Sequence, residues 1–266
     1  MNASTVSIEE FIALFAPHGG TPDRYIRDHF ARFQKTLITA KERVPPGARV
    51  VDVGAHWLHQ ALLWRIDGHP VVAVDIPGTF QTNEVQSLAT SHDISLVPCS
   101  DWASADELSV VPENSADVIL FAEILEHITF NPIEMWKQLY RILAPGGRVI
   151  ITTPNYYGWR GNALNPVRYL SGMGGGIPVE EVIGLGTYAH HWKEYSLKEI
   201  IKYFRLLSPD FRVSVARHLP TFTYSASPAK ALVQRALDIA PILRPNLHVE
   251  ISLPRKSAGV TAVFHY

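Results

Sequence analysis

Cysteine is almost missing from this chain: Cys99 is the only one in 266 residues. A lone thiol excludes an intramolecular disulfide framework and suits a reducing compartment. Long apolar runs are also lacking, and none approaches the roughly 20 residues of a membrane-spanning helix. The first residues, MNASTVSIEEFIALFAP, contain Glu9 and Glu10 and no basic stretch of the kind that opens an export signal. A cytoplasmic protein without a membrane span is expected. The third absence is excess charge, since 24 Lys and Arg against 25 Asp and Glu leave a net charge of −1. That balance argues against a surface built to hold nucleic-acid phosphates. No repeat or low-complexity tract appears. A hydrophobic content of 47% over this length fits one α/β domain with additions better than two domains.

What is present is organised around residues 49–75, RVVDVGAHWLHQALLWRIDGHPVVAVD. Arg49 to Val53 is a β-branched apolar run that stops at an Asp and a Gly, the form of a buried parallel strand. A helical pattern follows, with Leu58, Leu62 and Arg65 on one face and Gly68 placed to end it. Val71 to Val74 repeats the strand pattern and ends at Asp75. The stretch is therefore a βαβ unit with an acidic residue closing its second strand. Such a unit binds nucleosides, because helix amides face an anion at the first turn and the later carboxylate accepts hydrogen bonds from a ribose diol. Nicotinamide and flavin enzymes use it with three glycines, whereas this turn has only Gly54.

Further along come a buried strand, Asp117 to Phe121, the run Glu123-Ile-Leu-Glu-His127, an amphipathic helix over Asn131 to Leu143, and Arg141-Ile-Leu-Ala-Pro-Gly-Gly147 leading to Thr153-Pro-Asn155. Together with the Asp52-Val-Gly54 turn, Asp75 and Ser100-Asp101, this order resembles the class I S-adenosylmethionine (SAM) dependent methyltransferases over roughly residues 45–215. The resemblance implies a Rossmann-like α/β fold: a mostly parallel seven-stranded sheet with an antiparallel edge strand, an N-terminal helical appendage and a long insertion after the fifth strand. It implies SAM as cofactor, with Asp52, Gly54, Ala55 and His56 at the first turn, Asp75 and Ile76 at the ribose, Ser100, Asp101 and Trp102 at the adenine, and Glu123 nearby. For Asp101 the competing reading is an exposed cap of the next turn, and for Trp102 it is plain core. The family's first turn usually carries further glycines where His56 and Leu58 stand, so those two side chains must turn away from the ligand or shift it.

Glu123, Glu126 and His127 have three readings. They form a polar turn, or His127 is a general base whose ordinary pKa near 6.5 suits removal of a hydroxyl proton, or they hold a divalent cation. The last follows from similarity to small-RNA and ubiquinone-pathway O-methyltransferases, in which a matching run ligates a metal; His191, in His191-Trp-Lys-Glu194-Tyr195, would complete the set for Mg²⁺ or Mn²⁺. Glu126, His127 and His191 are accordingly the expected catalytic residues. An alcohol acceptor needs a base or metal, which favours O-methylation.

Residues 1–44 read as a helical cap, and 45–266 as the methyltransferase domain. In the cap, Tyr25, His29, Phe33 and Leu37 recur every four residues, and Arg24, Tyr25, Arg27 and Asp28 are candidates to face the site. The insertion at 155–190 offers Tyr156, Tyr157, Trp159, Arg160, Arg168 and Tyr169, with Gly172 to Gly176 as a hinge. It suits either a pocket for a small polar acceptor or a contact in a homo-oligomer. Similar insertions in glycan and polyketide-sugar enzymes imply a sugar or nucleotide-sugar hydroxyl. The alternatives are an inert methyltransferase-like chain that binds a partner, and an RNA or nucleotide 2′-O-methyltransferase. Ser196 with Glu199 should cap a late helix, and Leu247 to Leu253 should form a hairpin with Gly259 to Tyr266.

Overall fold

The computed structural model describes residues 3–19, 23–164, 170, 177, 179–184, 186 and 190–263. Five strands lie parallel: β1 (Val50–Val53), β2 (Val71–Asp75), β3 (Ile94–Pro98), β4 (Ala116–Ala122) and β5 (Leu143–Pro154). β6 (Arg212–Leu219) and β7 (Asn246–Ser252) complete a sheet of order β3-β2-β1-β4-β5-β7-β6. β7 runs antiparallel to both of its neighbours, which makes the pairing at this edge antiparallel. The expected hairpin with residues beyond Gly259 does not form among the described residues: the partner of β7 is β6, and 259–263 hold no strand. β6 offers β7 seven ladder positions, while the run after Gly259 is held elsewhere: the Thr261 and Ala262 amides donate to the Leu207 carbonyl, and Val260 and Ala262 pack against the core.

The strand order reverses between β1 and β4, which opens a crevice at their carboxyl ends. β1 and β4 are almost wholly buried, and their Val, Ile, Leu and Phe residues explain why they read as continuous apolar runs. One face of the sheet carries α1 (Ile8–Ala13), α2 (Asp23–Lys41) and α3 (His59–Ile66), so that Phe11, Ile26, Phe30 and Leu37 share a cluster with Val50, Leu62 and Leu120. The cap is thus built into the core of the domain. α4 (Pro77–Phe80) and α5 (Asn83–Ser91) connect β2 to β3.

α6 (Ile133–Ile142) packs Met135, Trp136 and Leu139 into the second cluster. Pro132 is its N-cap, and Asn131 Oδ1 accepts from the Ile133 amide at 3.1 Å. α7 (Val179–Gly184) lies in the insertion, where Arg168, Tyr169 and Gly172 to Gly176 fall outside the described residues. α8 (Leu197–Leu207) starts with a full capping box between Ser196 and Glu199, as the sequence predicts, and buries Ile200, Phe204 and Leu207. α9 (Pro228–Ile239) connects β6 to β7.

Candidate active site

A cavity of about 510 Å³ fills the crevice at the carboxyl ends of β1, β2 and β4, under α2, and its size is in the range of small-molecule sites. Asp52, Gly54, Ala55, His56, Asp75, Ile76, Trp102, Glu123 and His127 all line it. At the first turn the two non-glycine residues adopt left-handed backbone, with φ of 49° at His56 and 65° at Leu58. Leu58 turns fully inward, and the His56 amide donates to Asp75 Oδ2 at 2.6 Å. The Ile76 amide donates to Asp75 Oδ1 at 2.6 Å, so two backbone amides aim this carboxylate at the cavity. Gly54 has a reason of its own to be glycine, since its φ is 73° and a Cβ there would overlap the Ile124 side chain.

Asp52 is the buried carboxyl of the site. Burial, and then the charge of Asp75, push its pKa up to about 8, against a small opposing effect of the Ala61 amide. Its Oδ2 has no hydrogen-bond partner among the described residues. An orphaned carboxyl oxygen, a carboxylate held by amides at the ribose position and an apolar cleft fit a ligand with a cationic amino-acid end and a nucleoside, as SAM has.

Ser100 and Asp101 are not among the lining residues. The Ser100 amide and hydroxyl both donate to Glu107, and Asp101 Oδ1 caps the next turn by accepting from the Ala103 amide at 2.9 Å. Only Trp102 of that trio reaches the cavity. In the cap, Tyr25 lines it, whereas Arg24 pairs with Asp28 and Arg27 with Glu9, all away from it. Arg32 and Thr36 take the expected place of Arg24 and Arg27. Arg32 Nη1 meets Glu123 Oε2 at 3.0 Å, with both side chains less than a fifth exposed. His59 and Gln60 also line the wall and were not singled out from the sequence. The one available signal was spacing, because Tyr25, Arg32 and Thr36 fall on one helical face at 25, 32 and 36.

His59, packed beside Tyr25, Phe33 and His56, is held neutral, its pKa pushed down to about 3 by burial and then by His56. The other cluster lies after β4. Glu126, His127 and His191 offer ligand atoms within 4.8 Å of one another. Glu123 does not join them; Arg32 holds it instead. His127 Nδ1 donates to the His190 carbonyl oxygen at 2.9 Å, which leaves Nε2 as the free lone pair, 4.0 Å from Glu126 Oε1. Glu126 is fully buried, accepts from the Thr153 hydroxyl at 2.8 Å, and leaves Oε1 without a hydrogen-bond partner among the described residues. Burial, with Glu123 nearby, raises its pKa. Burial and His191 lower that of His127, while Glu194 raises that of His191.

The described aromatic residues of the insertion, Tyr156, Tyr157 and Trp159, are absent from the cavity wall. Their backbone is tied to the approach to β7: the Trp159 amide donates to the Leu243 carbonyl at 2.9 Å, and Asn155 Nδ2 donates to the Ile242 and Arg244 carbonyls. This part of the insertion is anchored scaffold. Arg160 lies over the Trp159 ring at 4.6 Å.

Solved structures share the architecture. A chain from the complex of the Haloferax volcanii Trm112 methyltransferase activator superposes with a TM-score of 0.56 at 16% identity, covering 92% of this chain and 98% of that one. The SAM-dependent methyltransferase of Aquifex aeolicus gives 0.52 at 15% identity, covering 94% and 100%. Phosphoethanolamine N-methyltransferase 2 of Haemonchus contortus, solved with S-adenosyl-L-methionine, gives 0.52 at 17%, covering 94% and 58%. At such identities the likeness is one of fold. No curated protein matches the chain. A family model described as a methyltransferase domain matches residues 24–208, well over half of the sequence, and the chain therefore belongs to that family, the class I SAM-dependent methyltransferases.

Proposed function

We propose that the protein methylates a hydroxyl of a small polar acceptor, a sugar or nucleotide sugar, with His127 as general base. The observation that carries this reading is the tautomer imposed on His127: its Nδ1 proton is held by the His190 carbonyl, so a basic Nε2 belongs to a residue of the cavity wall. The depressed pKa of His127 keeps that nitrogen unprotonated at neutral pH, the state a base requires. SAM, when bound, supplies a methyl group already activated by its sulfonium. The chain's own work is then to align and to dry the site. Asp75 receives the ribose hydroxyls, Asp52 faces the amino-acid end, and Ile124, Ile128 and Phe130 keep water from the acceptor side. The acceptor proton passes to His127 Nε2, and the imidazolium that results is favoured by the His190 carbonyl on Nδ1 and by the charge of Glu123.

A second account of the same residues has the unpartnered Oε1 of Glu126 in its favour. One carboxylate and two imidazoles suit Mn²⁺, Mg²⁺ or Zn²⁺, and a cation held by Glu126, His127 and His191 would lower the pKa of the acceptor hydroxyl. One assay series tests both. Incubation with SAM and a panel of sugars, nucleotide sugars and phenols should give a product heavier by one CH2 by mass spectrometry, and His127→Ala should abolish it. Full turnover in excess EDTA, with metal-free protein confirmed by elemental analysis, leaves the base; loss of turnover restored by Mn²⁺ or Mg²⁺ establishes the cation. Methylation of amines alone would refute O-methylation.

A further inference from the structure

α9 is amphipathic in the reverse sense. The face it turns to the protein holds Ala231, Gln234 and Asp238, all buried. Gln234 accepts from the Ser225 amide at 2.8 Å, and Asp238 accepts from the Thr221 amide at 3.0 Å and the Tyr224 hydroxyl at 2.9 Å. The apolar side chains point outward instead, with Leu232 69% exposed, Val233 57% and Ile239 79%. With Ala236 they form a single stripe at helical spacing, which Ile242 (54% exposed) continues past the helix end. A helix of a globular protein normally does the opposite. The bonds of its polar face hold α9 to the protein and leave the apolar stripe to something else.

Charge selects what that is. At about 100° per residue, Arg235 and Lys230 fall on the two flanks of the stripe. From residue 212 to 245 the charged residues are Arg212, Arg217, Lys230, Arg235 and Arg244, and the one acid, Asp238, is buried. We propose that this face of α9 docks on an anionic lipid surface, with the stripe entering the acyl boundary and the flanking cations meeting the headgroups. A second copy of the chain fits less well, because two-fold pairing would set one cationic flank on another. Twelve residues, about 18 Å of helix, are too short to span a bilayer and long enough to lie in its plane.

The position of the helix matters as much as its composition. Leu219 at the end of β6 pairs with Asn246 at the start of β7, which pairs with Pro154 at the end of β5. α9, inserted between Leu219 and Asn246, therefore leaves and re-enters the sheet at the same edge as the cavity, and β6, which leads into it, lies three strand spacings or about 14 Å from β4. Docking there would bring the mouth of the site to the membrane. On the reading of that site as a methyltransferase of sugar hydroxyls, the sugar would then be presented at the membrane as the headgroup of a lipid-anchored acceptor.

Flotation of the full chain with phosphatidylcholine vesicles, with and without phosphatidylglycerol, tests the docking in the absence of cofactor and acceptor. The protein should float with the anionic vesicles and be released by high salt. The exposed pair Leu232→Ser with Ile239→Ser should lower its partition coefficient by at least about tenfold. Lys230→Glu with Arg235→Glu should remove the preference for anionic vesicles. Circular dichroism melts superimposable on the wild type would confirm that both variants fold. A wild type that stays in the soluble fraction, or serine variants that float equally well, would overturn the proposal. So would a wild-type dimer in solution that the serine variants convert to monomer, since the stripe would then belong to a second copy. Because no methyl transfer is measured, failure here leaves the reading of the active site standing, and an inactive enzyme that still floats leaves the docking face.

Discussion

Asp52 carries its carboxyl near the end of β1, buried, with one oxygen unbonded among the described residues and the Asp75 carboxylate nearby. A carboxyl raised to about 8 in the folded protein and near 3.9 in the unfolded chain keeps its proton only in the native state between those values. Unfolding in that window releases a proton, so the stability Asp52 contributes is complete below about pH 4 and is lost as the pH rises through about 8. Asp52→Asn should remove this dependence. The variant should melt above the wild type at about pH 8, with the gap closing toward about pH 5, by differential scanning calorimetry of the ligand-free proteins. A cationic cofactor reverses the preference, because an ammonium or sulfonium beside Asp52 favours the carboxylate. At neutral pH the heat of SAM binding should therefore depend on the ionisation enthalpy of the buffer in the direction of proton release, and Asp52→Asn should abolish that slope. A wild type without the slope would mean that Asp52 stays neutral in the complex and acts as a hydrogen-bond donor.

At the scale of the element, the first turn is where this chain departs most from the glycine-rich form, and the two replacements have opposite consequences. His56 is exposed and Leu58 fully buried, yet both hold left-handed φ, which costs a non-glycine residue about 1–2 kcal/mol. His56→Gly relieves that strain at little packing cost and should change stability by less than about 1 kcal/mol. Leu58→Gly relieves the same strain but empties a core position, where the loss of a leucine side chain costs about 3–5 kcal/mol, so a net destabilisation of about 2–4 kcal/mol is expected in urea titrations. Near-equal effects would mean that the Leu58 site collapses on truncation. Local order made this turn legible from sequence. The strands around Asp52 and Asp75 and the Ser196–Glu199 box are set by neighbours within a few residues, and they form where the pattern places them. Arg32 shares a helical face with Tyr25, but its role was missed because its partner, Glu123, arrives from the far end of another strand. The C-terminal hairpin failed for the same kind of reason: β7 takes its partners from β5 and β6, a choice made by tertiary packing and not by the turn at Pro254. Which face of α9 is buried depends on polar partners at Thr221, Tyr224 and Ser225, beyond the reach of periodicity.

At the scale of the whole molecule, the cap shares its core with the sheet. Ile26, Phe30, Phe33 and Leu37 of α2 are buried against the same cluster as β1 and α3. At about 1.5–3 kcal/mol for each large side chain, the four contribute roughly 6–12 kcal/mol, comparable to the whole stability of a typical domain, about 5–15 kcal/mol. An ionic tie adds to them: Arg43, just past α2, pairs with Glu250 at the centre of β7, where Arg148 also donates at 2.9 Å and His248 Nε2 lies at 3.0 Å. Glu250 has no exposed surface, and its partners hold its pKa down at about 2 against the cost of burial. Removing Arg43 would leave a buried carboxylate with half of its cationic partners, a far larger penalty than the loss of a surface ion pair. The stability from this group is present above the ordinary Glu pKa near 4.3 and is lost as the pH falls toward about 2. Two results should follow for the whole chain. Thermal unfolding should be a single transition whose calorimetric and van't Hoff enthalpies agree, with no separate melting of the cap. Residues 45–266 expressed alone should lack that transition and bind hydrophobic dye, because the sheet face under α2 would be bare. A truncated protein that melts cooperatively would show that the strands and α3 close over the gap by themselves, and that the cap serves the cavity rather than the core.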